Sequence, residues 1–316
     1  MSKIERIPIT TRTDWLDLRK RDVTASVAGA LLGVHDYMTP YGLWSEKTGR
    51  SPPDLDTESK KRGRLLEPVA IELIRDARPM WKVEPPGAYY RDPAARIGAT
   101  PDLLVTDENG KRGIVQIKTV APNVFYNKWR TDPYSPEVRP PLWIAVQAII
   151  EAHLTESAWA AVAALVVGNA LKLEIVPVPI HAGILDKVRA AVAAFWASVE
   201  NNTPPPPDYA RDGEDIIRSM VGCEDGSLID LSEDNMLPDL CAEHRKLSDQ
   251  KNAAEKRIKA INAEIVAKMG TATQCRFQGG LITAKTITRN GYTVKPSSYR
   301  SPRISFDAAE EQGDAA

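Results

Sequence analysis

Apolar and polar positions alternate in short runs between residues 81 and 180, a pattern that predicts β-strands. The runs RIGATPDLLVTD and IVQIKTV are separated by the turn sequence DENGKRG, which predicts a β-hairpin with its turn at residues 107–110. Two further apolar runs, AAVAALVVG and LKLEIVPVPI, flank the short turn GNA. A second pair of strands is therefore predicted there.

Apolar residues recur at helical spacing before, between and after these strands. Residues 14–50 alternate helical stretches with turns and include a short helix at residues 41–47. Longer helices are predicted at about residues 63–77, 140–154 and 182–199. Because helices and strands are interleaved throughout this part of the chain, we expect residues 1–200 to form one domain.

The pattern changes after residue 200. Residues 201–235 contain the stretch NNTPPPPDY and an acidic segment, and we predict a semi-rigid linker there. Residues 236–306 begin with a long charged helix whose apolar residues lie at heptad-like spacing: Leu240, Leu247, Ala254, Ile258, Ile261 and Ile265. This seam suits packing against another helix, in the same chain or in a different one.

Short strands are predicted to follow this helix, and residues 307–316 are predicted to be disordered. The strand region carries two tyrosines and several basic residues: Tyr292, Tyr299, Arg276, Lys285, Arg289, Lys295, Arg300 and Arg303. Basic groups bind a nucleic-acid backbone and aromatic rings stack on bases, so this segment is a candidate DNA-binding platform. The alternative is an oligomerisation appendage whose charges are merely solvated.

Composition adds few constraints. The formal net charge is -1, so any nucleic-acid binding must come from local basic patches. The three cysteines are not at metal-ligand spacing, which fits a reducing cytosol and argues against a disulfide scaffold. The N-terminus lacks an apolar signal core, and the run that begins at Ala158 is too short to span a bilayer. These features predict a soluble cytoplasmic protein with no membrane contact.

The predicted hairpin carries a group of residues suited to phosphodiester hydrolysis. Asp102 lies near the end of one strand, and Gln116 and Lys118 share a face of the next because side chains alternate along a strand. Val115 and Ile117, on the opposite face, suit a core. Oxygen ligands hold Mg²⁺, the metal activates water, and a lysine positions that water or the phosphate. The alternative is a surface hairpin with incidental charge.

The order of motifs around this hairpin resembles one nuclease family. The motif TPD is followed by QIK, and these lie between a helix containing GRLLEP and a helix containing LWIAVQAII. Upstream, LRKRDVTASVAGALLG and YGLWSEKTGR complete the pattern. The chain is therefore similar, over about residues 13–200, to the PD-(D/E)XK nucleases of the lambda-exonuclease or YqaJ-type viral recombinase family.

The resemblance implies a fold class and a metal site. The fold would be α/β, with a restriction-endonuclease-like core in which helices flank a central mixed sheet, followed by a C-terminal long helix and a small β appendage. Glu67 and Asp102 correspond to acidic metal ligands, Gln116 replaces the second metal-binding acid, and the backbone carbonyl of Ile117 would also ligate the metal. Lys118 matches the catalytic lysine. Mg²⁺ is the implied cofactor, and Mn²⁺ is an expected substitute.

Further residues are implicated around this centre. By resemblance, Gln147 matches a glutamine that faces the site, and Arg19, Ser26 and Thr100 occupy positions where the family binds the 5′-phosphate of a DNA end. An arginine fork suits phosphate geometrically. Trp129, between the catalytic strand and the next helix, is the best candidate for a DNA-facing aromatic, although tryptophans more often lie in a core.

Gln116 departs from the family, which usually has glutamate at this position. A glutamine carbonyl still coordinates a hard cation but carries no charge, so metal affinity should fall. Three explanations stay open: a tolerated variant, a degenerate nuclease, or an introduced Glu→Gln change that traps substrate.

The resemblance implies a Mg²⁺-dependent exonuclease that digests double-stranded DNA 5′ to 3′ and exposes 3′ strands for phage-type recombination. A single-strand annealing protein and a homo-oligomer, such as a trimer, are the implied partners. Two alternatives remain: a catalytically silent protein that binds DNA ends or branches, and a structure-specific endonuclease.

Overall fold

The computed structural model describes residues 3–51, 57–130 and 137–287. It divides the chain into two compact units, residues 1–222 and residues 223–316. The first unit runs in chain order through β1 (Glu5–Pro8), α1 (Arg12–Arg21), β2 (Val23–Thr24), α2 (Ala25–Leu31), α3 (Pro40–Lys47), α4 (Glu58–Ala77), β3 (Lys82–Glu84), β4 (Ala88–Asp92), β5 (Ile97–Ala99), β6 (Leu103–Thr106), β7 (Arg112–Val120), α5 (Pro122–Lys128), α6 (Leu142–Leu154), β8 (Trp159–Val167), β9 (Leu171–Val178), α7 (Ala182–Glu200) and α8 (Gly213–Val221). The second unit contains α9 (Leu237–Met269), β10 (Gln274–Phe277) and β11 (Gly280–Thr283).

A mixed sheet forms the centre of the first unit. Within the described residues it has five strands in the order β3-β6-β7-β8-β9, and a second sheet has the order β1-β4-β5-β2. In the first sheet β7 and β8 are parallel, while the other neighbouring strands are antiparallel. The parallel pair is joined by a crossover through α5 and α6. The predicted α/β class, with a mixed sheet flanked by helices, is confirmed.

The predicted hairpin is confirmed in detail. Strands β6 and β7 pair antiparallel, with Leu103 opposite Val115 and Thr106 opposite Arg112. The carboxylate of Asp107 accepts backbone N–H bonds from Asn109 and Lys111, both 2.9 Å long. Gly110 has a φ of 73°, a left-handed conformation that glycine adopts without strain. The turn therefore fixes the register of β6 and β7, in which Asp102 lies next to the strand that carries Gln116 and Lys118.

Helices cover both faces of β7. Ala70 and Ile74 of α4 pack in one core cluster with Val115 and Ile117, so the prediction that these two strand residues face a core is confirmed. On the opposite face, Ile114 packs with residues of α6 in a second cluster. The side of β7 that carries Gln116 and Lys118 thus faces α6 rather than open solvent.

The first unit extends further along the chain than predicted. Residues 201–222 were predicted as part of a linker, but they belong to the compact first unit and include α8. Asp212 is 5% exposed and accepts a hydrogen bond from Thr39 Oγ1, and Arg211 donates to the backbone carbonyl of His35. These bonds join residues more than 170 positions apart, so no local pattern encodes them.

The second unit contains the predicted long helix and part of the predicted β segment. Strands β10 and β11 pair antiparallel through the turn at residues 278–279. The basic and aromatic positions from Arg289 onward, and the predicted disordered tail, lie outside the described residues. In the part of the chain that is described, no helix is long and apolar enough to cross a membrane.

Candidate active site

The carboxylate of Asp102 joins the two strands of the hairpin where β6 begins. Its Oδ2 accepts a hydrogen bond of 2.7 Å from the backbone N–H of Ile117 and one of 2.5 Å from Gln116 Nε2. Asp102 directly precedes β6, whose first residue, Leu103, pairs with Val115. The carboxylate of Asp102 thus occupies the place that strand backbone would otherwise fill beside Ile117.

The backbone carbonyl of Ile117 lies on this same edge. In an antiparallel ladder the N–H and C=O of one residue point to the same neighbouring strand. The N–H of Ile117 points to the β6 side and bonds Asp102, so its carbonyl also points to that side. The strand placement is therefore consistent with the predicted role of this carbonyl as a ligand.

Lys118 belongs to a chain of hydrogen bonds that continues into α6. Its Nζ donates to Gln147 Oε1 over 3.0 Å, and Gln147 Nε2 donates to Glu151 Oε1 over 2.8 Å. Lys118 Nζ also lies 5.5 Å from the ring centroid of Trp143. Gln147 and Glu151 are 4% and 1% exposed. Lys118 and Gln147, both predicted from the sequence, are thus in direct contact.

Electrostatic shifts connect the carboxylates of this site. Burial raises the pKa of Asp102 to about 6, the charge of Lys118 and the N–H of Ile117 lower it, and the charge of Glu67 on α4 raises it. Burial also raises the pKa of Glu67. Burial and the neighbouring charge of Asp102 raise the pKa of Glu151. Negative charges are crowded here with few compensating cations, which is the condition that favours binding of a metal ion.

Two buried oxygen atoms at the site have no hydrogen-bond partner in the structure: Gln116 Oε1 and Glu151 Oε2. An unpartnered buried oxygen is costly, and it often marks the place of an ion or a ligand. Gln116 Oε1 belongs to the residue that contacts Asp102, and both hydrogen bonds to Asp102 use its Oδ2. Gln116 Oε1, beside the carboxylate of Asp102, suits a hard divalent cation such as Mg²⁺.

The ligand set is nevertheless short of charge. Across residues 3–51, 57–130 and 137–287, no three His, Cys, Asp or Glu side chains converge into a group that holds a metal. A glutamate at position 116 would add a carboxylate beside Asp102, whereas Gln116 supplies only a neutral oxygen. The residues present therefore fit one divalent cation. Their charges are too few for the pair of metal ions that a two-metal site holds.

Arg19 and Thr100 are linked through Trp15 in the structure. The guanidinium carbon of Arg19 lies 4.6 Å from the Trp15 ring centroid, and Trp15 Nε1 donates to Thr100 Oγ1 over 3.0 Å. Ser26 Oγ shares a 3.1 Å hydrogen bond with Thr24 Oγ1. Thr24 pairs with β5, the strand that leads to Thr100. Arg19 and Thr100 thus contact the same Trp15 side chain, and Ser26 lies beside a residue that pairs with β5, the strand just before Thr100.

Trp129 is buried, so the prediction that it is a DNA-facing aromatic is wrong. Its side chain is 2% exposed and stacks on Phe125 at a ring distance of 5.9 Å, inside a core cluster. An exposed aromatic ring lies beside the site at a position that was not predicted. Tyr37 is 73% exposed, its ring centroid is 6.1 Å from that of Trp143, and Lys128 Nζ lies 5.5 Å from it.

Glu151 was also missed by sequence reasoning. The helix sequence LWIAVQAIIEAHL is otherwise apolar, and Glu151 follows Gln147 by four residues on the same helix face. A lone carboxylate in an apolar helix that contains a predicted site residue was the available signal. The residues that the structure brings together are Asp102, Gln116, Ile117, Lys118, Gln147 and Glu151.

Comparison with known proteins confirms the resemblance that the motifs predicted. Residues 14–151 match the family described as YqaJ-like viral recombinase domain. The chain is 30% identical to the Uncharacterized protein YqaJ of Bacillus subtilis (strain 168) over 113 residues. This aligned stretch covers 35% of the chain. The match spans about a third of that relative, or 34% of its length.

Solved structures also show likeness to the chain. An alkaline exonuclease (LHK-Exo) from Laribacter hongkongensis is 19% identical, with a TM-score of 0.46, and the alignment covers 60% of this chain and 94% of that one. A SOX–DNA complex is 11% identical, with a TM-score of 0.40, and the alignment covers 63% of this chain and 71% of that one.

Proposed function

We propose that the first unit is a metal-dependent nuclease of the PD-(D/E)XK type that digests double-stranded DNA from its ends, 5′ to 3′, leaving 3′ single strands. The observation that carries this proposal is the contact network at β7, where Asp102, Gln116 and Lys118 converge beside an unpartnered Gln116 oxygen. The match of residues 14–151 to the YqaJ-like viral recombinase domain supports it.

Four groups would hold the metal: the carboxylates of Glu67 and Asp102, Oε1 of Gln116 and the carbonyl of Ile117. A divalent ion bound there would supply a lowered pKa for water and positive charge opposite the phosphate. Asp102 orients this set because its Oδ2 is fixed by the N–H of Ile117.

Lys118 would position the attacking water or the scissile phosphate. Its ammonium group is held over the site by Gln147 Oε1 and by the ring of Trp143. A cation fixed in a half-buried setting stabilises the charge that develops on the phosphate more effectively than a mobile surface lysine does.

The 5′ to 3′ direction is supported by the resemblance of Arg19, Ser26 and Thr100 to the positions where the family binds a 5′-phosphate. A terminal 5′-phosphate held by Arg19 would fix how far the first phosphodiester lies from the metal ligands. Tyr37 and Lys128 would contact the DNA strand, since an exposed ring stacks on bases and a lysine binds the phosphate backbone. The annealing partner, the homo-oligomer and the cytoplasmic phage setting stay predictions.

A second candidate function is DNA-end binding without cleavage. Gln116 favours it, because the loss of a carboxylate weakens metal binding while leaving a more positive site for phosphate. The same residue can be a working ligand, and the two candidates differ in whether any metal concentration supports cleavage.

One experiment separates these functions. A 5′-labelled linear duplex and an internally labelled, covalently closed circular duplex are each incubated with Mg²⁺ or Mn²⁺. Asp102→Asn is the inactive control. Degradation of linear DNA alone supports the proposal, and nicked circles support an endonuclease. A mobility shift without cleavage at every metal concentration supports the binding protein and contradicts the nuclease.

A further inference from the structure

The side chains of Trp143, Gln147 and Glu151 lie four residues apart on α6 and form one stripe along the helix. Lys118 contacts the first two members: its Nζ is 5.5 Å from the Trp143 ring centroid and 3.0 Å from Gln147 Oε1. Glu151 is linked to Lys118 by hydrogen bonds through Gln147, whose Nε2 lies 2.8 Å from Glu151 Oε1.

The direction of these bonds follows from the chemistry of the groups. A lysine ammonium only donates, so the amide of Gln147 must turn its oxygen toward Lys118. The amide nitrogen then faces Glu151 and needs an acceptor there. We infer that Glu151 is a positioning residue for the nuclease reaction: it accepts the Gln147 N–H bond and so keeps the amide oxygen directed at Lys118. The inference rests on the proposed nuclease function.

Burial of Glu151 is difficult to explain by stability alone. Its side chain is 1% exposed, and Oε2 has no partner in the structure. A buried carboxyl with an unsatisfied oxygen costs free energy, and an apolar side chain of similar volume is often neutral or stabilising in its place. A buried carboxyl group that costs stability, and whose Oε1 accepts the Gln147 N–H, is explained by its effect on Lys118.

The test compares four variants with the wild type: Glu151→Met, Glu151→Gln, Gln147→Met, and Glu151→Met combined with Gln147→Met. The measurements are kcat and KM on a 5′-phosphorylated duplex, together with the melting temperature. Methionine keeps the volume and removes the acceptor, whereas glutamine keeps an acceptor oxygen. Glu72→Met is the matched control, because Glu72 is an exposed helical glutamate paired with Arg75.

We expect Glu151→Met to lower kcat by about tenfold or more. KM should stay unchanged, and the melting temperature should not fall. Glu151→Gln should recover most of that loss. The combined variant should match Gln147→Met alone, because Glu151 has nothing left to orient once Gln147 is gone. A wild-type kcat in Glu151→Met overturns the inference. The inference is also overturned if the combined variant loses kcat by the product of the two single-variant factors. That result includes a loss caused by a weakened fold.

A second readout does not require cleavage, so it separates failure of this inference from failure of the proposed function. The acylation rate of the Lys118 amine is measured by mass spectrometry in the intact, metal-free protein. Glu151→Met should raise this rate several-fold because the amine loses its oriented acceptor, and Glu151→Gln should raise it less. Equal rates in the wild type and both variants overturn the inference, whether or not the protein cleaves DNA.

Discussion

Two aspartates in the first unit, Asp22 and Asp102, have opposite surroundings. Asp22 is fully buried, and the guanidinium of Arg91 binds it through two bonds of 2.8 and 2.9 Å, while Tyr89 donates to it over 3.2 Å. Asp102 receives its bonds from a backbone N–H and from Gln116, which are both neutral donors. The first cluster satisfies its charge internally, whereas the carboxylate of the second has only neutral hydrogen-bond donors and lies beside a buried Gln116 oxygen that has no partner.

This difference distinguishes a cluster that holds the fold from one that binds a ligand. A buried carboxylate paired with a bidentate arginine has its desolvation cost offset within the protein. A carboxylate with a raised pKa and neutral hydrogen-bond donors keeps more of its desolvation cost, so a bound cation stabilises it more. The two aspartates should therefore respond in opposite ways to loss of charge.

The largest expected effect is that of Asp102→Asn. We expect cleavage to fall at least about a hundredfold, or by about 2.7 kcal/mol, because a charged metal ligand is lost. The fold should tolerate the change, since the amide of Gln116 can turn and present its unpartnered oxygen to the new N–H group. Cleavage rates and urea unfolding measure the two effects.

The effect of Asp102→Asn on stability should depend on pH. Because burial raises the pKa of Asp102 to about 6, the folded protein binds this proton more tightly than the unfolded chain does. The wild type therefore loses up to about 3 kcal/mol of unfolding free energy as pH rises from about 4 to about 6 in the absence of metal. The variant should lack this contribution to the decline. An identical decline in both proteins would show that Asp102 is not the group responsible.

The second expected effect concerns the other cluster. Arg91→Ala leaves Asp22 buried without its cation, and we expect unfolding free energy to fall by about 3 kcal/mol. Cleavage by the folded fraction should change little, because Asp22 belongs to the structural cluster. Glu5→Gln is the control, since Glu5 is an exposed partner of the same arginine at 3.5 Å. Arg91→Ala with wild-type stability would contradict the structural assignment.

The sequence predicted the parts of the site that local patterns encode. Alternation and turn residues placed Gln116 and Lys118 on one face of a strand, and the observed register agrees. Helical spacing placed Gln147 on the next helix, where it contacts Lys118. These features depend on neighbours within a few residues, so the sequence alone carries them.

Long-range packing limited the remaining predictions. Trp129 has no periodic context, and its burial depends on the stacking with Phe125 and on packing against strands and helices distant in the chain. Asp212 is buried because Thr39 lies beside it, a contact between residues 173 positions apart. Glu151 was missed because its burial depends on the sheet that covers α6. In each case the deciding neighbour is absent from the local sequence.

Gln116→Glu tests whether the charge deficit at the second cluster limits activity. A carboxylate at this position would add negative charge beside Asp102 and strengthen metal binding. We expect cleavage at low Mg²⁺ to rise by roughly tenfold, or about 1.4 kcal/mol. Metal titrations of both proteins on the same duplex measure this. If the variant is no faster at any metal concentration, Gln116 is already a working ligand and the DNA-end-binding alternative loses its main support.

The smallest expected effect concerns two arginines with different surroundings. Arg91 has its fork bound to Asp22, whereas the guanidinium of Arg19 lies over the ring of Trp15, whose Nε1 donates to the Thr100 hydroxyl. Stacking on the ring holds the Arg19 guanidinium in a fixed plane, and the planar fork of arginine matches the geometry of phosphate. We expect Arg19→Ala to reduce the preference for a 5′-phosphate over a 5′-hydroxyl end by about fivefold, or about 1 kcal/mol. Lys20→Ala is the matched control, since Lys20 is the exposed neighbour that pairs with Asp17. Degradation rates on the two ends measure the preference in each protein. If Arg19→Ala keeps the full preference of an active wild type, or if Lys20→Ala loses as much of it, then a diffuse positive surface binds the end and Arg19 is not the phosphate ligand.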